Sequence, residues 1–397
     1  MNIVHFCAQN SKLRKLFVKI EIRYTNSKMS GISVIKNVYI VGGNMKIKLA
    51  ILEKDVNYLN RFIAVFSTKY ADKIEIYSFT DKDVAISALT DNRVNVFIAS
   101  DAYEIDVNEL PKRCSFAYLV DSPDVETVND QRAICKFQKL DLIYKQILSV
   151  YSENAGNISD LKIGDEKTKV IAFASPSGGV GCSSVAASCA LHFAAQGKKT
   201  LYLNLERFGS SDRFFTAEGQ FDMSDVIFAV KSKKANLPLK LESCVKQDPR
   251  GVYFYSETKN AMDMLELKNE ECVYLISELK ISGTYEYIIL DLDFMMGKDM
   301  LSLYHQTHAM VWVGDGSDVS NGKIKRAYEV LSTIEANSDM PLTSRMCLIY
   351  NRFSSKTSDI LEGTDIKSIG GIKKYEHATT QQVMSQLAVN DIFEKIV

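Results

Sequence analysis

One stretch of this sequence constrains the fold more than any other. The apolar run KVIAFAS (169–175) leads directly into Ser-Pro-Ser-Gly-Gly-Val-Gly-Cys-Ser-Ser (175–184). The helix-forming run VAASCALHFAAQ (185–196) follows at once. A strand, a glycine-rich turn and a helix in that order are the context in which a glycine pattern becomes a phosphate-site hypothesis. Gly178, Gly179 and Gly181 allow positive φ and a close backbone approach. Successive N–H groups of Ser177, Gly178, Gly179, Val180, Gly181, Cys182, Ser183 and Ser184 can then form a concave nest at the positive end of the helix. Ser183 stands where a hydroxyl can ligate Mg²⁺. The plain alternative is a strand-to-helix turn that binds nothing.

Around this element the chain alternates apolar strands with helical spacing. The 397 residues suggest two or three domains. In the first region, strands are expected at 45–52, 73–79, 94–100, 115–121 and 133–137. A helix capped by Asp55 carries Leu59, Phe62, Ile63, Phe66 and Tyr70, and a closing helix spans Leu140 to Tyr151. In the second, strands are expected at 169–175, 200–205, 252–257, 285–293, 309–315 and 346–353, with a short one near 371–375. Runs such as YIIL, apolar at successive positions, suit parallel strands covered on both faces. The expected architecture is two doubly wound parallel-sheet α/β domains, at 45–151 and 168–397, joined by a polar linker at 152–167.

Charge and composition exclude several classes. The chain has 48 basic and 49 acidic residues, so no global field draws it to nucleic acid or anionic lipid. No apolar stretch approaches the roughly 20 residues of a membrane span. The eight cysteines never form a C-x-x-C pair, which argues against zinc or disulfides and for a reducing, cytoplasmic setting. Residues 1–44 carry seven Lys and Arg against Glu21 alone and show no period. They read as a disordered basic extension, with Met45 as the favoured natural start.

The loop at 177–184 resembles the deviant Walker A motif of the MinD/ParA superfamily, written KGGxGK(T/S)(T/S). Ser177 and Cys182 stand where that family has its two lysines. The likeness continues through Gly197–Glu206, where Asn204 and Glu206 replace a D-x-D pair. Asp291, ending YEYIILD, takes the place of Walker B, and Asn351-Arg352 that of a step beside the adenine. The resemblance implies ATP bound by 177–184, Asn351 and Arg352. It implies Mg²⁺ held by Ser183, Asn204 and Asp291, with Glu206 left to orient a water. Losing one preorganised donor costs about 10²–10³ in rate, so hydrolysis is expected to be weak or absent. Cys182, at a helix N-terminus, also has the setting of a lowered thiol pKa.

The first region resembles a receiver domain of flavodoxin-like fold without its phosphoacceptor. Ser100 stands at the acceptor position, Glu53-Lys54-Asp55 replaces the acidic pair, and Ser122 and Lys136 fit the remaining places. Asp101 is one residue out of register and so turned to the other face. A phosphorylation-independent interaction or dimerisation module is expected.

Together the two regions resemble the TadZ/CpaE-like group of Flp (tight adherence) pilus assembly proteins. That resemblance implies a cytoplasmic, ATP-binding localisation protein that forms a homodimer around Mg-ATP. It also implies a position at a cell pole, from which the protein recruits the pilus secretion ATPase. Alternatives are a nucleotide-free scaffold, or a MinD/ParA-type positioning ATPase for another cargo. No nucleic-acid partner is expected. Lys231–Lys234 reads as a solvated turn, and His305 and His308, three apart on an expected helix face, lack further ligands nearby.

Overall fold

The computed structural model describes residues 46–154, 168–233, 236–336 and 341–396. The basic extension, Met45, Lys234 and most of the expected linker lie outside the described residues.

The first unit runs β1 (Ile47–Leu52), α1 (Val56–Lys69), β2 (Ile74–Phe79), α2 (Lys82–Asp91), β3 (Val96–Ser100), β4 (Ser115–Val120), β5 (Thr127–Val128), β6 (Gln131–Cys135) and α3 (Leu140–Asn154). Its sheet order is β2-β1-β3-β4-β6-β5, parallel except for the β5–β6 hairpin. Without that hairpin strand it is the flavodoxin-like order. The Asp55 carboxylate starts α1 by accepting the N–H groups of Asn57 and Tyr58. Leu59, Phe62 and Phe66 then face the sheet, with the two phenylalanine rings stacked 4.1 Å apart. β3 and β4 are buried at every position, as parallel strands covered on both faces must be.

Two crossovers depart from the expected alternation of strands and helices. After β3 stands only a 3-10 turn at Val107–Glu109, and after β4 comes the β5–β6 hairpin. Asn129 and Asp130, both at positive φ, form its two-residue turn. The last strand therefore ends at Cys135, two residues earlier than the apolar pattern suggests.

The second unit comprises β7 (Lys169–Ala174), α4 (Cys182–Ala195), β8 (Thr200–Asn204), α5 (Met223–Lys231), α6 (Leu237–Cys244), β9 (Lys246–Gln247), β10 (Tyr253–Phe254), α7 (Met262–Glu266), α8 (Asn269–Ile281), β11 (Tyr287–Asp291), α9 (Lys298–His305), β12 (Ala309–Gly314), α10 (Asp318–Ala336), β13 (Met346–Phe353), β14 (Lys367–Lys373) and α11 (Thr380–Ala388). The sheet order is β14-β13-β12-β7-β11-β8-β10-β9, and only β9 runs antiparallel. Alternate residues feed two cores. Ala172, Leu203, Leu290 and Trp312 face one side, and Phe173, Tyr202, Ile289 and Val311 the other. α4 is buried from Val185 to Phe193, as its apolar circumference requires. Both sheets are parallel-dominated, and the molecule is mixed α/β.

α3 packs on α6 to join the units. Leu239 enters the first unit's core, the Tyr144 hydroxyl donates to Glu242, and Lys240 donates to Ser149 Oγ at 2.9 Å. Among the described residues, no helix is long and apolar enough to cross a membrane.

Candidate functional site

The glycine-rich loop lies between β7 and α4, at the carboxyl edge of the sheet. Gly179 and Gly181 hold φ of 78° and 84°. Gly181 caps α4 without any side-chain hydrogen bond. Among the described residues, the N–H groups from Gly178 to Ser184 have no hydrogen-bond partner. Two residues of β13 explain their orientation. Asn351 Nδ2 donates to the Val180 carbonyl at 2.7 Å, and Arg352 Nη1 donates to the Gly179 carbonyl at 3.0 Å. In a trans peptide the next N–H points opposite to the carbonyl, so these clamps aim the Val180 and Gly181 amides away from β13. Arg352 itself sits at φ 58°, where the pairing of β13 with β14 breaks. A non-glycine residue held there marks a position the surroundings enforce. The resemblance puts Asn351 and Arg352 beside an adenine; their polar ends are engaged with the loop.

The glycines differ in what they tolerate. A Cβ on Gly181 would lie 2.6 Å from Asn351 Nδ2, whereas one on Gly178 would meet nothing within 4 Å. Gly181→Ala therefore loses stability, by about 1–2 kcal/mol from φ alone, together with any ligand response. Gly178→Ala should keep the wild-type melting temperature, since its methyl meets open space, and lose only the response, since it stands at the first of the free amides. Thermal melts with and without Mg-ATP separate the two cases.

A carboxylate group faces the loop. β8 and β11 pair in parallel with Asn204 opposite Asp291. Tyr202 and Asn204, two apart on one strand, share a face. The Tyr202 hydroxyl donates to Asp291 Oδ2 at 2.6 Å, while Asp291 Oδ1 is buried without a partner. The Ser183 hydroxyl lies 3.3 Å from both oxygens of Glu206. Asn204, expected as a metal ligand, is turned otherwise. Its Oδ1 accepts the Glu206 N–H at 2.9 Å, so its Nδ2 faces Tyr202, Glu206 and Asp291. Only an amide nitrogen can satisfy those oxygens, which makes Asn204 a support for the carboxylates. Gly209 permits this, since a Cβ there would stand 2.0 Å from Asn204 Oδ1. Sequence reasoning missed both Tyr202 and Gly209. The i, i+2, i+4 set of Tyr202, Asn204 and Glu206 was the available signal for the tyrosine.

Burial raises the Asp291 carboxyl to about 8, with the Glu206 charge adding to the effect. Glu206 is raised as well, first by burial and further by Asp293. The pair thus retains a proton at neutral pH. Burial, with the same two carboxylates adding to it, pushes the Cys182 thiol well above its ordinary value. The thiolate suggested by the helix N-terminus does not form.

Among the described residues, no three His, Cys, Asp or Glu side chains gather to hold a metal unaided. The donors nonetheless fit a phosphate-borne Mg²⁺: a hydroxyl, an orphaned buried carboxylate oxygen and a row of free amides. Such an ion must displace the shared proton. Mg-ATP affinity is therefore expected to rise between pH 6 and 8.5 with proton release, measurable by calorimetry in buffers of different ionisation enthalpy.

In the first unit, Lys136 occupies the acceptor region. Its Nζ lies 2.9 Å from Glu53 Oε2 and 3.0 Å from Asp121 Oδ1, and donates to Ser100 Oγ at 3.4 Å. Burial alone would lower its pKa, but these carboxylates hold it above its ordinary value. Asp55 is committed to capping α1, and Ser122 Oγ accepts the Asp124 N–H. Asp101 is exposed and Ser100 buried. Asp121, which the sequence reading passed over, is the second partner of Lys136. His305 ends α9, whereas His308 lies beyond it and accepts the Val170 N–H through Nδ1. The two histidines do not share a helix face.

Fold and site together define a receiver-like unit followed by a P-loop unit. Residues 45–152 match the family model described as the TadZ-like receiver domain. The second unit is similar to a ParA family ATPase from Chlorobium tepidum, at 20% identity over 58% of this chain and 97% of that one, with a TM-score of 0.47. It is also similar to MinD in the MinC:MinD cell division complex of Aquifex aeolicus, at 18% identity over 57% and 95% of the two chains and a TM-score of 0.43. MinD from Pyrococcus horikoshii, solved with Mg-ADP, gives 16% identity, 56% and 94% coverage and a TM-score of 0.43. Among curated proteins nothing matches the chain.

Proposed function

We propose that this chain is an ATP-binding localisation or scaffold protein of the TadZ kind. In this reading the loop 177–184 holds Mg-ATP, a second copy pairs around it, and turnover is slow or absent. The paired form, at a cell pole, recruits the secretion machinery of a Flp pilus through its receiver-like unit. One observation carries the nucleotide part: seven consecutive residues, Gly178 to Ser184, offer free amides opposite a buried carboxylate oxygen without a partner. Amides in a concave nest bind phosphate oxygens without any side-chain charge. Mg²⁺, when bound, supplies the positive charge that Ser177 and Cys182 do not. Ser183 and Asp291 hold the ion, Glu206 orients water, and Tyr202 and Asn204 position the carboxylates. Weak turnover follows because no ammonium meets the charge that develops on the transferring phosphoryl group.

The receiver-like unit fits an interaction role. Lys136 neutralises the acidic position, and the acceptor position carries a serine. A nucleotide-free scaffold is the second reading, favoured by the Ser183–Glu206 contact, which closes the metal position internally. Light scattering with parallel phosphate-release measurements tests the proposal. The mass should double with Mg-ATP while phosphate release stays near background. An unchanged mass contradicts the pairing, and rapid release contradicts the slow turnover.

A further inference from the structure

The two units line a half-open cleft of about 160 Å³ at their junction. Gln138, Lys145 and Gln146 line it from the receiver-like unit, and Gln220, Cys244 and Lys246 from the other. It lies outside both sites described above.

Its electrostatics are unbalanced. Lys246 is 8% exposed, yet among the described residues its Nζ has neither a hydrogen bond nor an ion pair. The stem of Lys246 lies along Gly219 on the cavity wall, where a Cβ would stand 3.3 Å from Cε. Lys145 donates to the Val245 carbonyl across the junction and likewise has no carboxylate within 4 Å among the described residues. Each ammonium has three N–H groups to satisfy. Both lysines are pulled below their ordinary pKa by burial, against the attraction of Asp141 on Lys145 and of Asp212 and Asp222 on Lys246; Lys246 lowers Lys145 further. The carboxylate on the rim, Glu218, is already paired with Lys139 at 3.0 Å. The Cys244 thiol, raised to about 11 by burial, stays neutral. Amide donors stand alongside, since Gln146 and Gln220 are hydrogen-bonded to each other across the junction.

Size limits what can enter. At about 30 Å³ of liquid per water, the volume corresponds to about five waters. Pockets for drug-sized ligands start near 300 Å³, so the cleft is matched to a smaller group. Two facing ammonium groups and side-chain amides in a space of that size suit a compact oxygen-rich anion.

We propose that this junction binds a small oxoanion of the phosphate or sulfate class between Lys145 and Lys246, and that the anion bolts the two units together. Cations contributed by both units make the bound anion a bridge, so ligation should raise the stability of the whole chain.

Thermal melts of the full chain in rising inorganic phosphate, against potassium chloride at matched ionic strength, test this. Sulfate forms a second series. A saturable rise in melting temperature is expected, with Lys246→Met and Lys145→Met each weakening the apparent affinity at least tenfold. Without phosphate, Lys246→Met should melt close to the wild type, because it removes an ammonium that makes no hydrogen bond or ion pair among the described residues. Should that variant prove unfolded, Lys145→Met carries the same comparison. Phosphate can also reach the glycine-rich loop, so Gly178→Ala is the control and should keep the full response. A response lost in Gly178→Ala but retained in the lysine variants belongs to the loop and overturns this proposal while leaving the nucleotide reading intact. The absence of any saturable rise overturns it as well.

Discussion

Replacing Asp291 by Asn should raise the melting temperature at pH 8 by several degrees and abolish Mg-ATP binding in the same variant. The side chain is fully buried, with its carboxyl held at about 8 against an ordinary 3.8. The folded chain thus binds this proton more tightly than the unfolded chain does. The stability tied to it is complete below pH 3.8 and drains away as the pH climbs to about 8. A tenfold change in proton affinity is worth about 1.4 kcal/mol. Asn204, Tyr202 and Glu206 share the network, so a gain of about 2–4 kcal/mol is a fair expectation after relaxation. For a unit of this size that amounts to about 5–15 °C. The gain should vanish once the pH falls about a unit below 3.8, where the carboxyl is protonated in both states. Asn keeps the bond from Tyr202 but offers no anionic oxygen to a metal. Stability and binding then move in opposite directions, as at sites that retain strain for function. An Asp291→Asn variant less stable than the wild type at pH 8 would contradict this picture of the site.

The second large effect is a gain of function. Cys182 faces Asp291 and Glu206, both of which raise its thiol. Those carboxylates favour an ammonium, so Cys182→Lys should be accommodated in charged form and should lower the Asp291 pKa. A preorganised donor of this kind is worth about 10²–10³ in rate. Cys182→Lys alone is expected to lift phosphate release by that order. Ser177→Lys should add to it only at protein concentrations that support pairing, the condition under which the proposed dimer closes around the nucleotide. Single-turnover assays across a concentration series distinguish the two contributions. If the doubly substituted protein releases phosphate no faster than the wild type, missing positive charge is not what limits turnover.

Much of this was legible in the sequence, for identifiable reasons. The buried parallel strands, such as β3, β4, β7 and β12, are uninterrupted apolar runs, and Asp55 before a helical period marks the start of α1. β5 and β9 have two residues each and carry no period. β14 was placed too late, because Gly370 and Gly371 interrupt it and Ile369 and Ile372 are its buried apolar positions. The glycines of the loop announced themselves by context. The clamps did not: Asn351 reaches a carbonyl 171 residues away, and that pairing exists only once β13 lies two strands from β7. Asn204 misled for a related reason. Its residue type allows ligation, but the Glu206 N–H fixes which end of the amide faces inward. Lys136 was placed correctly beside Ser100, whereas its pairing with Asp121 depends on where β4 and β6 end.

The central claim is that main-chain amides from Gly178 to Ser184 hold a triphosphate without help from a lysine. Calorimetric titration of the wild-type chain with ATP, in the presence of Mg²⁺ and again with the metal chelated, tests it most directly. The account predicts saturable heat at one site per chain with Mg²⁺ and none once the metal is removed, since the charge shared by Asp291 and Glu206 otherwise repels the phosphates. No heat in the presence of Mg²⁺, or equal heat without it, would contradict the account.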